Sequence, residues 1–312
     1  MLNFRTRFYA GLIAGAAVAG GAWAQPPAEL AGRIAALGRA INPPATAAIY
    51  GPLQPAISAE ASVRRDAAYG PGVKQTMDVF TPAARGPARP ILIFVHGGGF
   101  MRDDKSRFAD GSRSPFYDNV MLWAVGHGMV GVNMNYGLAP QAAFPDAQRD
   151  IATVVAWARK NTASLGGDPD RVILWGHSAG ASHVASFLAH PETYRDIDQK
   201  PVRAAVLHSG VYDMAGNPQD HVYFGPVAGL AERSSVQGLV RSKVPVLVLA
   251  AELDPVEMVA QARQLDMALT EGGRDHQLAI AGQHAHMSEI YSVNTADETV
   301  SGPVLAFLAR AP

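Results

Sequence analysis

Arg171-Val-Ile-Leu-Trp175, then Gly176-His177-Ser178-Ala179-Gly180, then Ala181-Ser-His-Val-Ala-Ser-Phe-Leu-Ala189 is the stretch whose reading decides the fold. An apolar run of strand length leads into G-x-S-x-G, and a run of helix length leads out. A serine on so tight a strand-to-helix turn takes a strained backbone, and glycines two residues to either side leave room for it. The turn lifts the hydroxyl above a sheet and aims the N–H groups of the helix start at a developing oxyanion. The chain holds 31 glycines, so the five residues alone have chance matches. The flanking elements carry the reading, a nucleophilic serine at 178.

Outward from that turn, buried-type runs recur at Ile91–Val95, Met129–Met134, Val172–Trp175, Ala204–Leu207, Val246–Ala250 and Leu278–Ala281. Helical patterns lie between them. In Asp146–Ser164 the residues Ala147, Ile151, Val154, Val155 and Ala158 share one face, and Val256–Leu269 and Val304–Ala309 are similar. Ser62–Tyr69 and Lys74–Phe80 flank Gly70-Pro71-Gly72 and read as a hairpin. A hairpin followed by strand–helix–strand units implies an α/β fold: a mostly parallel twisted sheet of about eight strands, helices on both faces. Residues 25–60 are rich in Ala and Pro, with a short helix expected at Glu29–Ala40 and Pro43-Pro44 ending it.

The first residues read as an export signal. Arg5 and Arg7 are basic, Tyr9–Gly20 is apolar, and Ala22-Trp23-Ala24 is a signal-peptidase pattern with cleavage before Gln25. The alternative, a membrane anchor, needs roughly 20 apolar residues, more than this stretch supplies. The expected organisation is a signal peptide at 1–24, an N-terminal lid or cap segment at 25–60 and a catalytic domain at 61–312. The mature protein is then exported, periplasmic or secreted, without stable membrane insertion. The 312 residues include no cysteine, so neither disulfides nor thiolate–metal sites contribute. The net charge is −1 and the charges are scattered, which gives no footprint for nucleic acid.

A serine hydroxyl needs a base, the base needs an orienting acid, and the oxyanion needs donors. In an open parallel sheet these come from loops at the carboxyl ends of strands. Asp254 follows the strand Val246–Ala250 and is the favoured acid, with Pro255 placed to start a helix. A helix N-cap is its alternative role, and Glu252 and Glu257 are weaker candidates for the acid. His284 and His286 follow the strand Leu278–Ala281, and one of them is the base. The His-x-His pair with Glu289 nearby also suits a metal, but a third ligand at fixed geometry is not evident. His96-Gly97-Gly98-Gly99-Phe100 follows Ile91–Val95 and lets bare backbone N–H groups approach a carbonyl oxygen. No G-K-[ST] follows, which argues against phosphate, and His96 reads as an anchor of the loop.

These motifs together resemble the hormone-sensitive-lipase-like carboxylesterases of the α/β-hydrolase superfamily. The matching elements are HGGGF at 96–100, NYGLAP at 135–140, FPDAQRD at 144–150, GGDPDRV at 166–172 and GHSAG at 176–180. SGVYD at 209–213, AELDP at 251–255 and HAHMS at 284–288 extend the likeness over roughly residues 62–310. The resemblance implies the α/β-hydrolase fold, with Ser178 as nucleophile, Asp254 as acid and His286 as base. It also implies an oxyanion hole of the Gly98, Gly99 and Ala179 N–H groups, a small-molecule ester as substrate, and neither cofactor nor metal. Phe100, His177, His208 and Tyr223 are candidate substrate contacts. His183 reads as a core or surface residue, and Trp157 and Trp175 as core aromatics.

The chain departs from the family twice. Gly137 stands where the family has Arg, and the segment from Asp213 to Val244 is short for a helical cap, so residues 25–60 with Tyr223 and Phe224 are expected to form a smaller lid. The expected activity is hydrolysis of short acyl or aryl esters through an acyl-enzyme. An amidase of the arylformamidase type uses the same triad, and a catalytically silent binding protein is the reading from another class.

Overall fold

The structure is a computed structural model that describes residues 23–57, 60–84, 86–214 and 221–311. The signal sequence read at 1–24 lies outside the described residues as far as Ala22. Among the described residues no helix is long and apolar enough to cross a membrane.

Among the described residues eight strands form one sheet: β1 (Ala61–Ala68), β2 (Thr76–Pro82), β3 (Arg89–Val95), β4 (Val130–Met134), β5 (Gly167–His177), β6 (Ala204–His208), β7 (Val246–Leu253) and β8 (His276–Ala285). Their order is β1-β2-β4-β3-β5-β6-β7-β8, and all pairings are parallel except β1–β2 and β2–β4. This is the α/β-hydrolase arrangement that the alternation of runs implied. Strand residues alternate between two cores, as the period of two requires. Val172 and Leu174 pack with the helices Asp146–Leu165, Ala179–Ala189 and Val256–Glu271. Ile173 and Trp175 pack on the other face with Asp118–Gly126 and Ser301–Arg310. The helix Asp118–Gly126 escaped the sequence reading because seven of its nine residues are buried, which leaves no polar face to mark a period.

The N-terminal segment differs from expectation. The first helix ends at Ala35, and Pro43-Pro44 opens a second helix, Pro43–Tyr50, instead of closing the first. Asn42 Oδ1 accepts the Ala45 N–H at 3.1 Å, and proline fits a first turn because its missing N–H is unpaired there anyway. Expected as a lid, the segment is tied down on the β8 side. Ile34, Ile49 and Tyr50 enter the core shared by Tyr291, Val300 and Phe307. Gln54 Nε2 donates to the Tyr291 carbonyl at 2.7 Å.

Strand register positions the site. Val95 pairs with Gly176, so the loop after β3 lies beside the serine turn, and His177 pairs with His208. Leu253 pairs with Ala285, so the next residues, Asp254 and His286, emerge side by side.

If residues 25–57 belong to the folding unit, Ile34→Ala removes a fully buried side chain and is expected to cost about 2–5 kcal/mol. Urea unfolding should show a lower midpoint with an unchanged slope. A midpoint equal to wild type would mean that the segment is not part of that unit.

Candidate active site

Ser178 sits at φ 54°, ψ −124°, between β5 and the helix Ala179–Ala189. That left-handed backbone is tolerated because its neighbours leave room. A Cβ on Gly176 would lie 2.3 Å from the Gly180 carbonyl oxygen, and one on Gly180 would lie 2.0 Å from that of Val95. The turn is further held by Ser178 N–H, which donates to the His208 carbonyl at 2.8 Å.

His286 Nε2 lies 2.9 Å from Ser178 Oγ, and its Nδ1 lies 2.7 Å from Asp254 Oδ1. With Asp254 accepting from Nδ1–H, the tautomer leaves Nε2 free to take the serine proton. Asp254 Oδ2 accepts from the Ala251 N–H at 2.8 Å and faces the Ser209 hydroxyl at 2.5 Å. The acid loop is clamped from outside by Arg39, whose Nη1 donates to the carbonyls of Glu252 at 3.0 Å and Asp254 at 2.5 Å. Burial works to lower the His286 pKa. The hydrogen bond and charge of Asp254, with the charge of Glu289, outweigh it and leave His286 above the ordinary imidazole value.

Of the two histidines, the structure brings His286 and not His284 to Ser178. His284 is buried and turned away, its Nδ1 3.1 Å from Ser288 Oγ and its Nε2 3.1 Å from Asp297 Oδ2. The His-x-His pair therefore does not converge on one point. His177, His286 and Glu289 do bring ligand-type atoms within 4.8 Å of one another. Both ring nitrogens of His286 are already engaged, by Ser178 and Asp254, and His177 Nε2 lies 3.0 Å from the His286 carbonyl.

In the glycine loop, Gly98 and Gly99 adopt φ +117° and +57°, and a Cβ on Gly98 would lie 2.0 Å from the Arg102 carbonyl oxygen. A Cβ on Gly97 would meet Ser178 Cβ at 3.1 Å, which measures how close the loop comes to the nucleophile. Tyr136 donates its hydroxyl between the carbonyls of His96 and Gly97, at 2.9 and 3.0 Å, and holds the loop from behind. His96 stacks on Tyr136 and anchors the loop, its pKa lowered by burial. Among the described residues the N–H groups of Gly98, Gly99 and Ala179 have no acceptor within the chain, so they are free to bind an oxyanion.

The four candidate substrate contacts are mostly withdrawn from solvent. His208 is fully enclosed, and Trp175 Nε1–H reaches its Nδ1 at 3.3 Å while Glu289 Oε2 lies 2.8 Å from its Nε2. His177 is also enclosed, and burial lowers its pKa to about 4, so it stays neutral near pH 7. Neither offers a surface to substrate, because the turn and the sheet ends close over them. Phe100 and Tyr223 stack at 5.6 Å and pack with Phe224 in an aromatic wall beside the loop. The Tyr223 hydroxyl is used internally, accepting from Ala147 N–H at 2.9 Å and donating to Gln148 Oε1 at 3.0 Å. His183 is a core residue against that wall, its pKa lowered to about 3 by burial.

Gly137 also has a physical reason. A Cβ there would come within 2.7 Å of Ala142 Cβ, and its N–H donates to Asp150 Oδ2 at 2.9 Å. Gln75 Nε2 donates to the other Asp150 oxygen at 2.8 Å, so the carboxylate finds neutral donors where the family pattern has a guanidinium. A groove of about 600 Å³ between Tyr194, Val202 and Val244 opens at the opposite, amino-terminal ends of β5–β7 and is lined by none of Ser178, Asp254 and His286.

The BD-FAE family model matches residues 77–279, well over half of the chain. The esterase LipQ of Mycobacterium tuberculosis is 31% identical over 231 residues, covering 67% of this chain and 53% of LipQ. The para-nitrobenzyl esterase of Bacillus subtilis is 32% identical over 145 residues, covering 43% of this chain and 27% of that protein. The chain thus spans about half or less of the length of these curated relatives. Among solved structures, esterase B from Lactobacillus rhamnosis superposes with a TM-score of 0.69 at 17% identity, covering 85% of this chain and 91% of that one. A bacterial heroin esterase superposes at 0.62 and 20% identity, covering 92% and 96%. The fold is the α/β-hydrolase fold.

If His286 takes the Ser178 proton it must be neutral to do so, and with its pKa raised Ser178 is expected to lose reactivity as pH falls through a value above the usual imidazole range. Labelling of Ser178 by a fluorophosphonate is expected to fall to half at a pH above about 6.5. A midpoint at or below that value would contradict the balance of effects at His286.

Proposed function

The chain belongs to the BD-FAE family, and from that premise we propose that it is a serine carboxylesterase acting on short-chain acyl or aryl esters. The observation that carries this reading is the chain of contacts Ser178–His286–Asp254, at 2.9 and 2.7 Å, beside a glycine loop with unengaged N–H groups. Ser178 Oγ attacks the ester carbonyl carbon while His286 Nε2 takes its proton. The carbonyl oxygen becomes an oxyanion held by the N–H groups of Gly98, Gly99 and Ala179. As the tetrahedral intermediate collapses, His286 returns the proton to the alkoxide leaving group, and the acyl group stays on Ser178. Water then attacks the acyl-enzyme, His286 takes its proton, and the second collapse restores Ser178 and releases the acid. Asp254 stabilises the imidazolium formed in each half.

No step requires a cofactor. The preference for a small acyl or flat aryl group is supported by the packed wall of Phe100, Tyr223 and Phe224, which is filled by its own rings. Export after cleavage before Gln25 is part of the proposal and rests on the pattern at Arg5–Ala24.

Hydrolysis of p-nitrophenyl esters from acetate to palmitate, measured beside Ser178→Ala, tests the reading. Activity should depend on Ser178 and peak at short chains. His286→Ala should lower kcat by about 10³-fold or more, as loss of a triad member does. His284→Ala should keep most of its kcat where it remains folded, since His284 faces Asp297. Absence of Ser178-dependent hydrolysis across the series would refute the proposal.

A further inference from the structure

Glu289 is among the buried ionisable groups that the acyl-transfer steps leave unused. Glu289 is fully enclosed on the short helix Ser288–Tyr291, three residues past His286. Its Oε1 meets the Ser209 hydroxyl at short range and lies 3.7 Å from His177 Nε2. Its Oε2 lies 2.8 Å from His208 Nε2. The same Ser209 oxygen lies 2.5 Å from Asp254 Oδ2, so two carboxylates face one hydroxyl, which has a single proton to give.

For a purely structural role this is an expensive arrangement. Enclosing a carboxylate costs several kcal/mol before its partners compensate, and an amide of the same shape would fill the space without that cost. Burial indeed works to raise the Glu289 pKa. His208 and His177 beside its oxygens outweigh it and hold the carboxyl well below the ordinary range, so Glu289 is an anion near neutral pH. Its nearest consequence lies at His286, where its charge acts in the same direction as that of Asp254.

We propose that Glu289 is a positioning residue of the triad, a second buried carboxylate that acts through Ser209 on Asp254 and supplies counter-charge to the imidazolium that forms on His286. Ser209, in a left-handed backbone at φ 53°, is fixed by its N–H donating to the Leu249 carbonyl at 2.7 Å. Its hydroxyl therefore stays between the two acids. Around His286 the titratable groups are Asp254 from the end of β7, His177 from the end of β5 and Glu289 from its own side. His208 from the end of β6 and the Tyr212 hydroxyl lie behind them. Tyr212 stays protonated, donating to the Leu207 carbonyl at 3.1 Å. Asp254 and Glu289 are the anions of this set, and Asp254 already bonds His286 directly. The inference rests on the esterase reading.

The test is Glu289→Gln, which keeps shape and removes charge, assayed from acid to neutral pH with p-nitrophenyl acetate. Without the second anion the imidazolium is less favourable, so His286 titrates lower. The acid limb of kcat/KM should move to lower pH by about half a unit or more, and plateau kcat should fall about tenfold with KM within about twofold. An unmoved acid limb overturns the proposal whatever kcat does. Wild type and Ser178→Ala run alongside: no Ser178-dependent hydrolysis by wild type defeats the esterase reading itself, whereas an active wild type with an unmoved limb in the variant defeats only the role of Glu289. Should Glu289→Gln not fold, carboxyl-carbon NMR of glutamate-labelled wild type decides. A buried glutamate that stays ionised to about pH 4 supports the proposal, and one protonated at neutral pH overturns it.

Discussion

The carbonyl oxygen of Val95 lies where a side chain on Gly180 would begin, 2.0 Å from the position of its Cβ. The helix that starts at Ala179 is therefore pressed against the end of β3, and the other parts of the site take their places from that contact. It fixes Ser178 in a left-handed backbone that a serine avoids on its own, at a cost of order 1–3 kcal/mol. It also brings the glycine loop after β3 against the nucleophile, with Gly97 and Ser178 in near contact. Loop and helix start can then serve one oxygen only because both are held by the same pair of strands, whose register puts Val95 opposite Gly176.

Below the serine, five ionisable side chains are enclosed together: His177, His208, Asp254, His286 and Glu289. Charges taken from water singly would each cost several kcal/mol, more than a domain can spare from a net stability of about 5–15 kcal/mol. The cluster persists because acids and imidazoles alternate in it. Asp254 lies against His286 and Ser209, and Glu289 against His208, His177 and Ser209. Asp254 has donors at both oxygens, and Glu289 is offset by the imidazoles of His208 and His177 beside its own. The same low-polarity setting strengthens every remaining electrostatic effect on His286.

How much of this was legible in the sequence follows from how local each signal is. The serine turn, the glycine loop and the acid after β7 are short motifs whose residues are neighbours in the chain, and they were readable. His284 and His286 were indistinguishable by spacing, because both follow the same strand. Pairing of Leu253 with Ala285 separates them, and register is a property of two strands. Ser209 and Glu289 lie in segments that drew notice for other reasons, within SGVYD and beside the His-x-His pair. Convergence of Asp254 and Glu289 on the Ser209 hydroxyl needs three strand ends to meet. His208 looked like a pocket residue because it ends a strand on the catalytic side, yet the chain closes over it. Pro43-Pro44 read as a stop because proline breaks helices, whereas its position after Asn42 makes it a start.

His286 stands on the weakest support that the sheet offers. β8 is an edge strand with β7 as its one sheet neighbour, and the loop that carries His286 leaves from it. An edge strand is free to fray and to pair with other chains unless something covers it. Here the N-terminal segment packs against β8, and its polar groups reach the two catalytic loops at backbone atoms. Arg39 gathers the carbonyls of Glu252 and Asp254, Gln54 holds that of Tyr291, and Asn119 from the opposite side holds those of Ile290 and Val293. Backbone contacts of this kind fix where a loop runs without touching the side chain that reacts. The loops that carry Asp254 and His286 are therefore held by residues 171 to 237 positions away from their partners in the chain. A segment that reads in sequence as a lid over the site stands in the structure as the brace of its least supported strand.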